Sequence, residues 1–522
     1  MFRGLLRVFL PSLISVLAVV AMATVEPARG STASPRFVFA TSSTYDTIDP
    51  HMVLDQPRIA ARLNLYDGLL RWDDNPAKLE PWLAESHSAS PDARSYLFTL
   101  RRGAKFHDGA EIKASDVVYS VERLLALRQG AFALFADLVA PGSTKALDDR
   151  TVSFSLTKPS THFLSIVPEI AVVNAALVKR NEINNDWGRA WLAKNEAGSG
   201  SYILTRYDAS IGFAAERFKD HWNAKWGSRP IAVIEFRTVA DPEKRMQGLV
   251  GGDYQGIDGR LSGKHLDVVR NDASLRVIEA QSTRLLQAVV NSARAPMKDP
   301  EFRRTLASAF DYDAFLSSIA ASGRGTKPQP ATLWGAAKDA RRAAYDLDKA
   351  REHLAKVPAP VREITIASIA GDGPAQQAAG LLQSGLEALG VKSKLVSEPG
   401  AVVATKLRDD KEMYDILFSW RPLYAPDPAG WLQAYECDQI GQLNESRYCN
   451  RDVDKLIKEA RGVVDPDLRR RTYERAIALL SDDAAGLWIY DARWFGAFSK
   501  RVSGIRFSPI GEGQDMRWAS LD

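Results

Sequence analysis

Apolar and polar residues alternate along several short stretches of the chain, and each such stretch predicts a β-strand. The clearest is 95–100 (SYLFTL), in which Tyr96, Phe98 and Leu100 lie on one face. A period of two is that of a strand with at least one buried face. Further strands are predicted, by alternation or by a short apolar run, at 36–40, 146–156 after a turn, 364–369, 391–396 and 414–420. The pattern therefore predicts a protein rich in short strands.

A longer period predicts helices between these strands. Val117, Val121 and Leu124 form one apolar stripe, with Asp116 near the N-terminal end, where a negative charge interacts favourably with the helix dipole. A second helix is predicted at 375–389, between the strands at 364–369 and 391–396. This strand, helix, strand order is typical of an α/β fold.

The chain length and the N-terminus indicate an exported protein of more than one domain. A chain of 522 residues exceeds one compact core. Arg3 and Arg7 precede an apolar run at 8–23, which ends in the small-residue cleavage pattern Ala-Met-Ala. We expect a signal peptide within residues 1–30, with a retained membrane anchor as the alternative. The absence of a nearby cysteine argues against a lipid anchor.

Composition and cysteine usage narrow the possible partners. The apolar fraction of 45% and the charged fraction of 25% are those of a soluble globular protein. Basic residues are interspersed with acidic ones, which argues against nucleic acid as a partner. Cys437 and Cys449 are the two cysteines, and in an oxidising compartment they suggest a disulfide worth about 3 kcal/mol, with two free thiols as the alternative. Two thiols without a nearby histidine make an incomplete zinc site, so no metal is expected.

Catalytic chemistry has no positive signal in the sequence. The seven histidines are scattered, and His107 is the one that is followed directly by a carboxylate, that of Asp108. These two residues lie in the segment Phe-His-Asp-Gly, which is typical of a turn, so we interpret them as a turn rather than a catalytic dyad. The run Gly-Ser-Gly-Ser at 198–201 lacks both the lysine of a phosphate-binding loop and the spacing of a nucleophile elbow. We therefore predict no enzyme, no catalytic residues and no cofactor.

An ordered series of motifs resembles the family 5 solute-binding proteins of ABC transporters, which carry dipeptides, oligopeptides, nickel chelates and other solutes. The series comprises Trp-Leu-Ala-Glu-Ser at 82–86, Phe-Thr-Leu-Arg at 98–101, Phe-His-Asp-Gly at 106–109, Ala-Ser-Asp-Val-Val-Tyr-Ser at 114–120 and Tyr-Cys-Asn at 448–450. One departure is Lys113, where the family usually has a capping threonine. We expect Ser115 to cap the helix instead, by starting it two residues later.

The resemblance implies an α/β fold with two lobes, an inserted extra domain and a ligand cleft between the lobes. The first lobe is expected to combine 37–75, 201–285 and 502–522, with a smaller domain inserted at 76–200. The second lobe, which is the third domain, is expected at 286–501.

The resemblance also implies where a solute would bind. In peptide-binding members, one backbone stretch after an Asp-Pro-His-like segment and another at a strand end of the third domain line the cleft. Their counterparts and the following loop supply the candidate ligand-binding residues Leu54, Asp55, Gln56, Ser419, Trp420, Arg421, Leu423, Tyr424 and Asp427.

Leu423 is an informative departure from the family. Peptide binders place there an aspartate that pairs with the α-ammonium group of the ligand, and leucine cannot replace it. Burial of an unpaired ammonium group is costly. Either Asp427 or Asp55 takes over this role, or the solute is not an ordinary free peptide. Arg421 could hold a carboxylate bidentately or could be an exposed loop residue.

By this resemblance the chain is expected to be the periplasmic, solute-binding component of an ABC importer. It would capture a peptide-like or other medium-sized organic solute by hinge closure and deliver it to a permease in the inner membrane. We expect a monomer. A sensory protein that presents its ligand to a receptor is an alternative, and a periplasmic hydrolase is a weaker one.

Overall fold

The computed structural model describes most of the chain after residue 34. The described residues are 35–52, 58–73, 78–223, 226, 228–259, 261, 263–319, 329–330, 333–334, 343–358, 360–409, 411–421, 426–508, 510 and 513–522. The predicted signal peptide at 1–30 lies outside these residues. Among the described residues, no helix combines the length and the hydrophobicity needed to cross a membrane.

Twenty strands and sixteen α-helices occur in the described part of the chain. The strands are β1 Arg36–Thr41, β2 Leu70–Trp72, β3 Leu79–Pro81, β4 Ala84–Ala89, β5 Ser95–Leu100, β6 Val139–Ala146, β7 Thr151–Leu156, β8 Tyr202–Asp208, β9 Gly212–Arg217, β10 Val233–Thr238, β11 Gly256–Asp258, β12 Leu275–Val290, β13 Ile364–Ile369, β14 Ser393–Glu398, β15 Ile416–Arg421, β16 Leu487–Ser499, β17 Val502–Ser503, β18 Arg506–Phe507, β19 Gln514–Asp515 and β20 Ser520–Leu521. The helices are α1 Arg58–Leu65, α2 Ala114–Leu127, α3 Phe132–Phe135, α4 Phe163–Ile166, α5 Ala175–Arg180, α6 Arg189–Leu192, α7 Pro242–Val250, α8 Gly263–Asn271, α9 Pro300–Ala309, α10 Tyr312–Ser318, α11 Leu347–Leu354, α12 Gly373–Ala388, α13 Gly400–Lys406, α14 Pro428–Leu432, α15 Arg451–Gly462 and α16 Pro466–Asp482.

A mixed sheet of ten described strands forms the main scaffold, in the order β14-β13-β15-β12-β16-β11-β1-β10-β9-β8. At one end, β13 pairs in parallel with both β14 and β15. Near the other end, β1 pairs in parallel with both β10 and β11. Parallel neighbours need crossover connections, and α12, which connects β13 to β14, packs against β13 and β15 in one core cluster. The α/β class predicted from the sequence is confirmed.

The long strands β12 and β16 connect the two ends of this sheet. They pair with each other in antiparallel register from Leu275↔Ser499 to Ala288↔Leu487, with an irregularity between Gln281 and Leu285. The first half of β12 lies beside the end of β16 that also pairs with β11, and its second half pairs with β15. The chain therefore crosses from one group of strands to the other within the continuous strands β12 and β16, and not through a separate linker. The predicted boundaries of the lobes and of the inserted domain stay predictions.

The segment predicted as an inserted domain contains its own four-stranded sheet, in the order β4-β5-β7-β6. On β5, the residues Tyr96, Phe98 and Leu100 are all buried, as their alternation predicts. They belong to the same core cluster as Val117, Val121 and Leu124 of α2. The strand and the helix that the sequence indicates most clearly thus pack against each other.

The start of α2 differs from the sequence expectation. The helix begins at Ala114, with Lys113 at its N-cap, and not two residues later as a cap by Ser115 requires. The backbone amide of Lys113 donates to the Asp116 carboxylate at 2.9 Å. Because this carboxylate also accepts from the amide of Ala175, at 3.1 Å, it fixes the helix start without a capping hydroxyl.

The segment at 106–109 is a turn, as predicted, in which the amide of Gly109 donates to the carbonyl of Phe106 at 3.0 Å. Gly109 has a φ of 88°, which favours glycine. His107 lies 2.7 Å from Glu196 through Nδ1, and Asp108 accepts from Asn174. The two side chains thus have separate partners and do not form a dyad.

The run at 198–201 has a packing role in the structure. A Cβ atom on Gly200 would lie 2.4 Å from the carbonyl oxygen of Asn64, and one on Gly198 would lie 1.9 Å from that of Leu65. The amide of Gly200 donates to Leu65. Small residues are therefore needed here because two backbone segments approach closely.

Candidate ligand-binding site

A cavity of about 490 Å³ lies at the end of β15. One wall is formed by β15, α13, α14 and the loop closed by the disulfide between Cys437 and Cys449. The disulfide predicted from the sequence is thereby confirmed. The opposite wall is formed by residues of the predicted inserted domain, at 133–138 and 158–162. This volume is in the range of pockets that bind small organic molecules.

The end of β15 opens into the cavity because one of its two neighbouring strands stops early. Along Ile416–Phe418, β15 pairs with both β12 and β13, and these residues are buried. The pairing with β13 ends at Phe418, while that with β12 continues to Arg421. Ser419, Trp420 and Arg421 are consequently only partly buried, and all three line the cavity.

Trp420 is anchored from both sides where it borders the cavity. Its Nε1 donates to Asp372 at 3.3 Å, and its ring lies 6.0 Å from that of Tyr490, measured between centroids. The guanidinium carbon of Arg284 lies 4.9 Å from the Trp420 ring centroid, within the range of a cation–π contact. The indole therefore combines a polar tip with a large rigid face next to the cavity.

Arg421 brings a positive charge to the same wall. One of its Nη atoms donates to the carbonyl of Trp431 at 2.9 Å, and its guanidinium carbon lies 4.7 Å from the Trp431 ring centroid. Burial lowers the pKa of Arg421, and the nearby groups of Tyr435 and Glu445 oppose that shift. An arginine held in this way presents its remaining donors in a fixed orientation.

Glu445 supplies a negative charge from the disulfide-closed loop. Glu445 lines the cavity, and burial raises the pKa of its carboxyl group against the opposing charges of Arg421 and Arg447. Glu445 was not among the residues singled out from the sequence. In the sequence, Glu445 is distinguished by its position inside the Cys437–Cys449 segment, and that position does not indicate the direction of its side chain.

The two walls contact each other at the edge of the cavity. Both the backbone amide and the hydroxyl of Thr161 lie 3.1 Å from the carbonyl oxygen of Arg461, to which they donate. His162 lies 3.7 Å from Asp427, from Nδ1 to a carboxylate oxygen. The predicted inserted domain and the predicted second lobe thus meet through polar contacts beside the cavity.

Asp427 does not line the cavity. It caps α14 by accepting from the amide of Ala429 at 2.8 Å, and both of its oxygens accept from Arg469, at 2.7 and 2.8 Å. Burial alone would raise the pKa of Asp427, but Arg469 and His162 hold it well below its usual value. Its carboxylate is therefore already satisfied by protein groups.

The remaining predicted ligand-binding residues have no described position. Leu54, Asp55, Gln56, Leu423 and Tyr424 lie outside the described residues. Their roles stay predictions. Within the described part of the chain, no group of three or more His, Cys, Asp or Glu side chains is arranged to hold a metal ion.

The profile of the family "Bacterial extracellular solute-binding proteins, family 5 Middle" matches residues 78–442, well over half of the chain. The chain belongs to this family. Among similar family 5 proteins is the "Probable D,D-dipeptide-binding periplasmic protein DdpA" of Escherichia coli K12. It is 28% identical over 510 residues, which cover 95% of this chain and 96% of the relative.

Solved structures share the fold over nearly the whole chain. The ABC transporter substrate-binding protein CtaP of Listeria monocytogenes superposes with a TM-score of 0.82 at 21% identity, covering 94% of this chain and 99% of the other. The dipeptide-binding protein of Pseudoalteromonas, in complex with Met-Leu, gives 0.76 at 20% identity, with coverages of 93% and 100%. The family 5 chain therefore has the two-lobed fold that the resemblance implies.

Proposed function

We propose that this protein is the periplasmic solute-binding component of an ABC importer and captures a peptide-like organic solute in the cavity at the end of β15. The observation that carries the proposal is the position of that cavity. It lies between two groups of residues that contact each other through Thr161, His162, Asp427 and Arg461. A solute in such a place contacts both walls at once.

Binding energy from both walls would favour the closed arrangement. A ligand shifts a conformational equilibrium by its difference in affinity for the two states. A solute that contacts both walls only when they are close together binds the closed state more tightly than the open one. The closed form would then be the one that a permease in the inner membrane receives. The similarity to DdpA, whose name describes a dipeptide binder, supports a peptide-like solute. We further propose that the protein acts as a monomer and is not an enzyme.

Native mass spectrometry of the purified protein tests this proposal, since a retained solute appears as an added mass. Thermal melts with di- and tripeptides test the solute class. A peptide at a hundredfold excess over its dissociation constant should stabilise the folded state by about 2.7 kcal/mol. Absence of any retained organic solute, together with no stabilisation by any peptide, would remove the peptide-like class.

The variant Trp420→Ala, measured in the same thermal melts with peptide, tests whether the solute binds in this cavity. Since the indole borders the cavity, we expect peptide affinity to fall by about tenfold, or ~1.4 kcal/mol. Trp191→Ala is the matched control, because Trp191 of α6 is also partly buried but does not line the cavity. Equal affinity losses in the two variants would place binding elsewhere.

A further inference from the structure

Glu445 has an unusual environment for an acidic residue. Glu445 is partly buried and lines the cavity, and the described part of the chain gives its carboxylate no hydrogen bond and no ion pair. Buried carboxylates are ordinarily paired. A carboxylate that faces a cavity without a protein partner is therefore suited to a partner that arrives with the ligand.

The backbone around Glu445 is held firmly. The side-chain amide of Asn444 donates to the carbonyls of Glu436 and Tyr448, at 2.9 and 2.8 Å, and all of Asn444 is buried. Arg447, also buried, donates to the carbonyl of Glu445 at 3.0 Å and to that of Leu407 at 3.1 Å. The disulfide closes the same loop. The backbone of Glu445 is therefore held in place before any ligand binds, which limits the ordering cost of binding.

Arg421 faces the same cavity with the opposite charge. The two groups are close enough for each charge to influence the other's ionisation, yet they form no ion pair. The lining of the cavity also includes the aliphatic residues Leu134, Leu138, Val403, Leu407, Leu417 and Leu443. The lining also contains Asp137, Lys158 and Arg461, but Asp137 pairs with Lys158 and Arg461 pairs with Glu436. Arg421 and Glu445, which form no ion pair within the described residues, therefore complement a small zwitterion with an apolar body.

We propose that Glu445 is a specificity-determining residue that accepts the ammonium group of a zwitterionic, peptide-like solute, while Arg421 binds its carboxylate. The assignment rests on the proposed function and identifies the acid that pairs with the amine in the absence of an aspartate at position 423. Two other described acids lie at or near the cavity. Asp137 lines it but is exposed and lies 3.6 Å from Lys158, and both oxygens of Asp427 are already occupied by Arg469. The chain thus supplies the acidic partner from its disulfide-closed loop.

Titration calorimetry with two probes tests the assignment. Leucyl-leucine carries the ammonium group, and N-acetyl-leucyl-leucine lacks its charge but keeps the carboxylate and the apolar body. We expect the unchanged protein to prefer the free dipeptide by about tenfold or more, because a charge-assisted hydrogen bond is lost on acetylation. In Glu445→Gln, which keeps the shape and removes the charge, we expect the two affinities to become nearly equal.

The affinity ratio within one variant does not depend on how much of that variant is folded, since a reduced folded fraction scales both affinities alike. Glu387→Gln is the matched control, because Glu387 is an exposed glutamate of α12 that does not line the cavity, and it should keep the full preference. Melts without ligand record the folding of each variant.

The possible results separate this inference from the proposed function. If the unchanged protein binds leucyl-leucine and Glu445→Gln retains the tenfold preference, Glu445 is not the anchor, although the peptide-like class stands. Loss of the preference in Asp427→Asn alone would assign the amine to Asp427. If neither probe nor any other peptide binds the unchanged protein, both the peptide-like class and this inference are overturned.

Discussion

At the scale of single residues, the structure assigns the acids near the cavity to different tasks. Asp427 is enclosed by the protein, and its partner Arg469 lies in α16. Glu445 lines the cavity, and the described residues give its carboxylate no such partner. Sequence order alone cannot make this distinction, because Asp427 follows the strand end by a few residues and appears well placed, whereas Glu445 reaches the site through the folding of a distant loop.

Asp427→Asn should therefore act mainly on stability. Removing one partner of a buried ion pair leaves the other charge uncompensated and costs about 3–5 kcal/mol. Urea denaturation at neutral pH measures this loss. Because the pKa of Asp427 is lowered in the folded state, its ionised form stabilises the protein above the unfolded pKa of about 4, and this contribution is lost as the pH falls below that value. A variant with unchanged stability would show that Arg469 finds another partner.

At the scale of elements, the local pattern of apolar and polar residues predicts well which segments form helices or strands. It predicts the first and last residues of these elements less well. The strand at 364–369 occurs as β13 with the bounds that its apolar run suggests, and the helix predicted at 375–389 occurs as α12. The strand predicted at 391–396 begins two residues later, as β14. Its start depends on Gly390, whose φ of 74° belongs to the turn before it. Ends are fixed by such turn and capping geometry, which alternation does not encode.

Two glycines of α12 differ in their contacts with the rest of the protein, and this difference predicts opposite effects of substitution by alanine. A Cβ atom on Gly385 would lie 2.0 Å from the carbonyl oxygen of Ala309, the last residue of α9, whereas one on Gly380 would meet nothing within 4 Å. We expect Gly385→Ala to destabilise the protein by about 1–3 kcal/mol, because two backbones must separate. Gly380→Ala, its matched control, should stabilise by about 0.5–1 kcal/mol through the higher helix propensity of alanine. Denaturation midpoints measure both effects, and equal shifts in the two variants would contradict this close helix packing.

At the scale of the whole molecule, the family motifs predict the fold and one wall of the candidate cavity, but they do not indicate its far wall. The motifs lie in local units such as β5, the 106–109 turn and α2, each of which has a pattern that is visible within its own short sequence. The far wall comes from 133–138 and 158–162, and long-range folding brings it against residues of the predicted second lobe. Non-local contacts of this kind, such as that between Thr161 and Arg461, leave no periodic signal in the chain.

A disulfide between the two walls tests whether solute entry requires their separation. The Cβ atom of Pro159 lies 3.9 Å from the position of a Cβ on Gly462, and disulfides need about 3.5–4.5 Å between these atoms. In the double variant Pro159→Cys and Gly462→Cys, oxidised before ligand is added, we expect the association rate of leucyl-leucine to fall by about tenfold or more, since binding that requires an opening step is slowed when that step is blocked. Mild reduction should restore the rate.

Two controls make this result specific. The unchanged protein, treated with the same oxidant and reductant, reports any effect of the natural Cys437–Cys449 disulfide. The single variant Gly462→Cys reports the effect of a new side chain at that position without a bridge, and peptide mapping by mass spectrometry verifies the bridge in the double variant. If the bridged protein binds leucyl-leucine as fast as the reduced one, the walls need not separate at this point, and capture by closure across the Thr161–Arg461 contact is excluded. A slow rate that recovers on reduction identifies this contact as part of the closing surface, because the bridge constrains only the two segments that it joins.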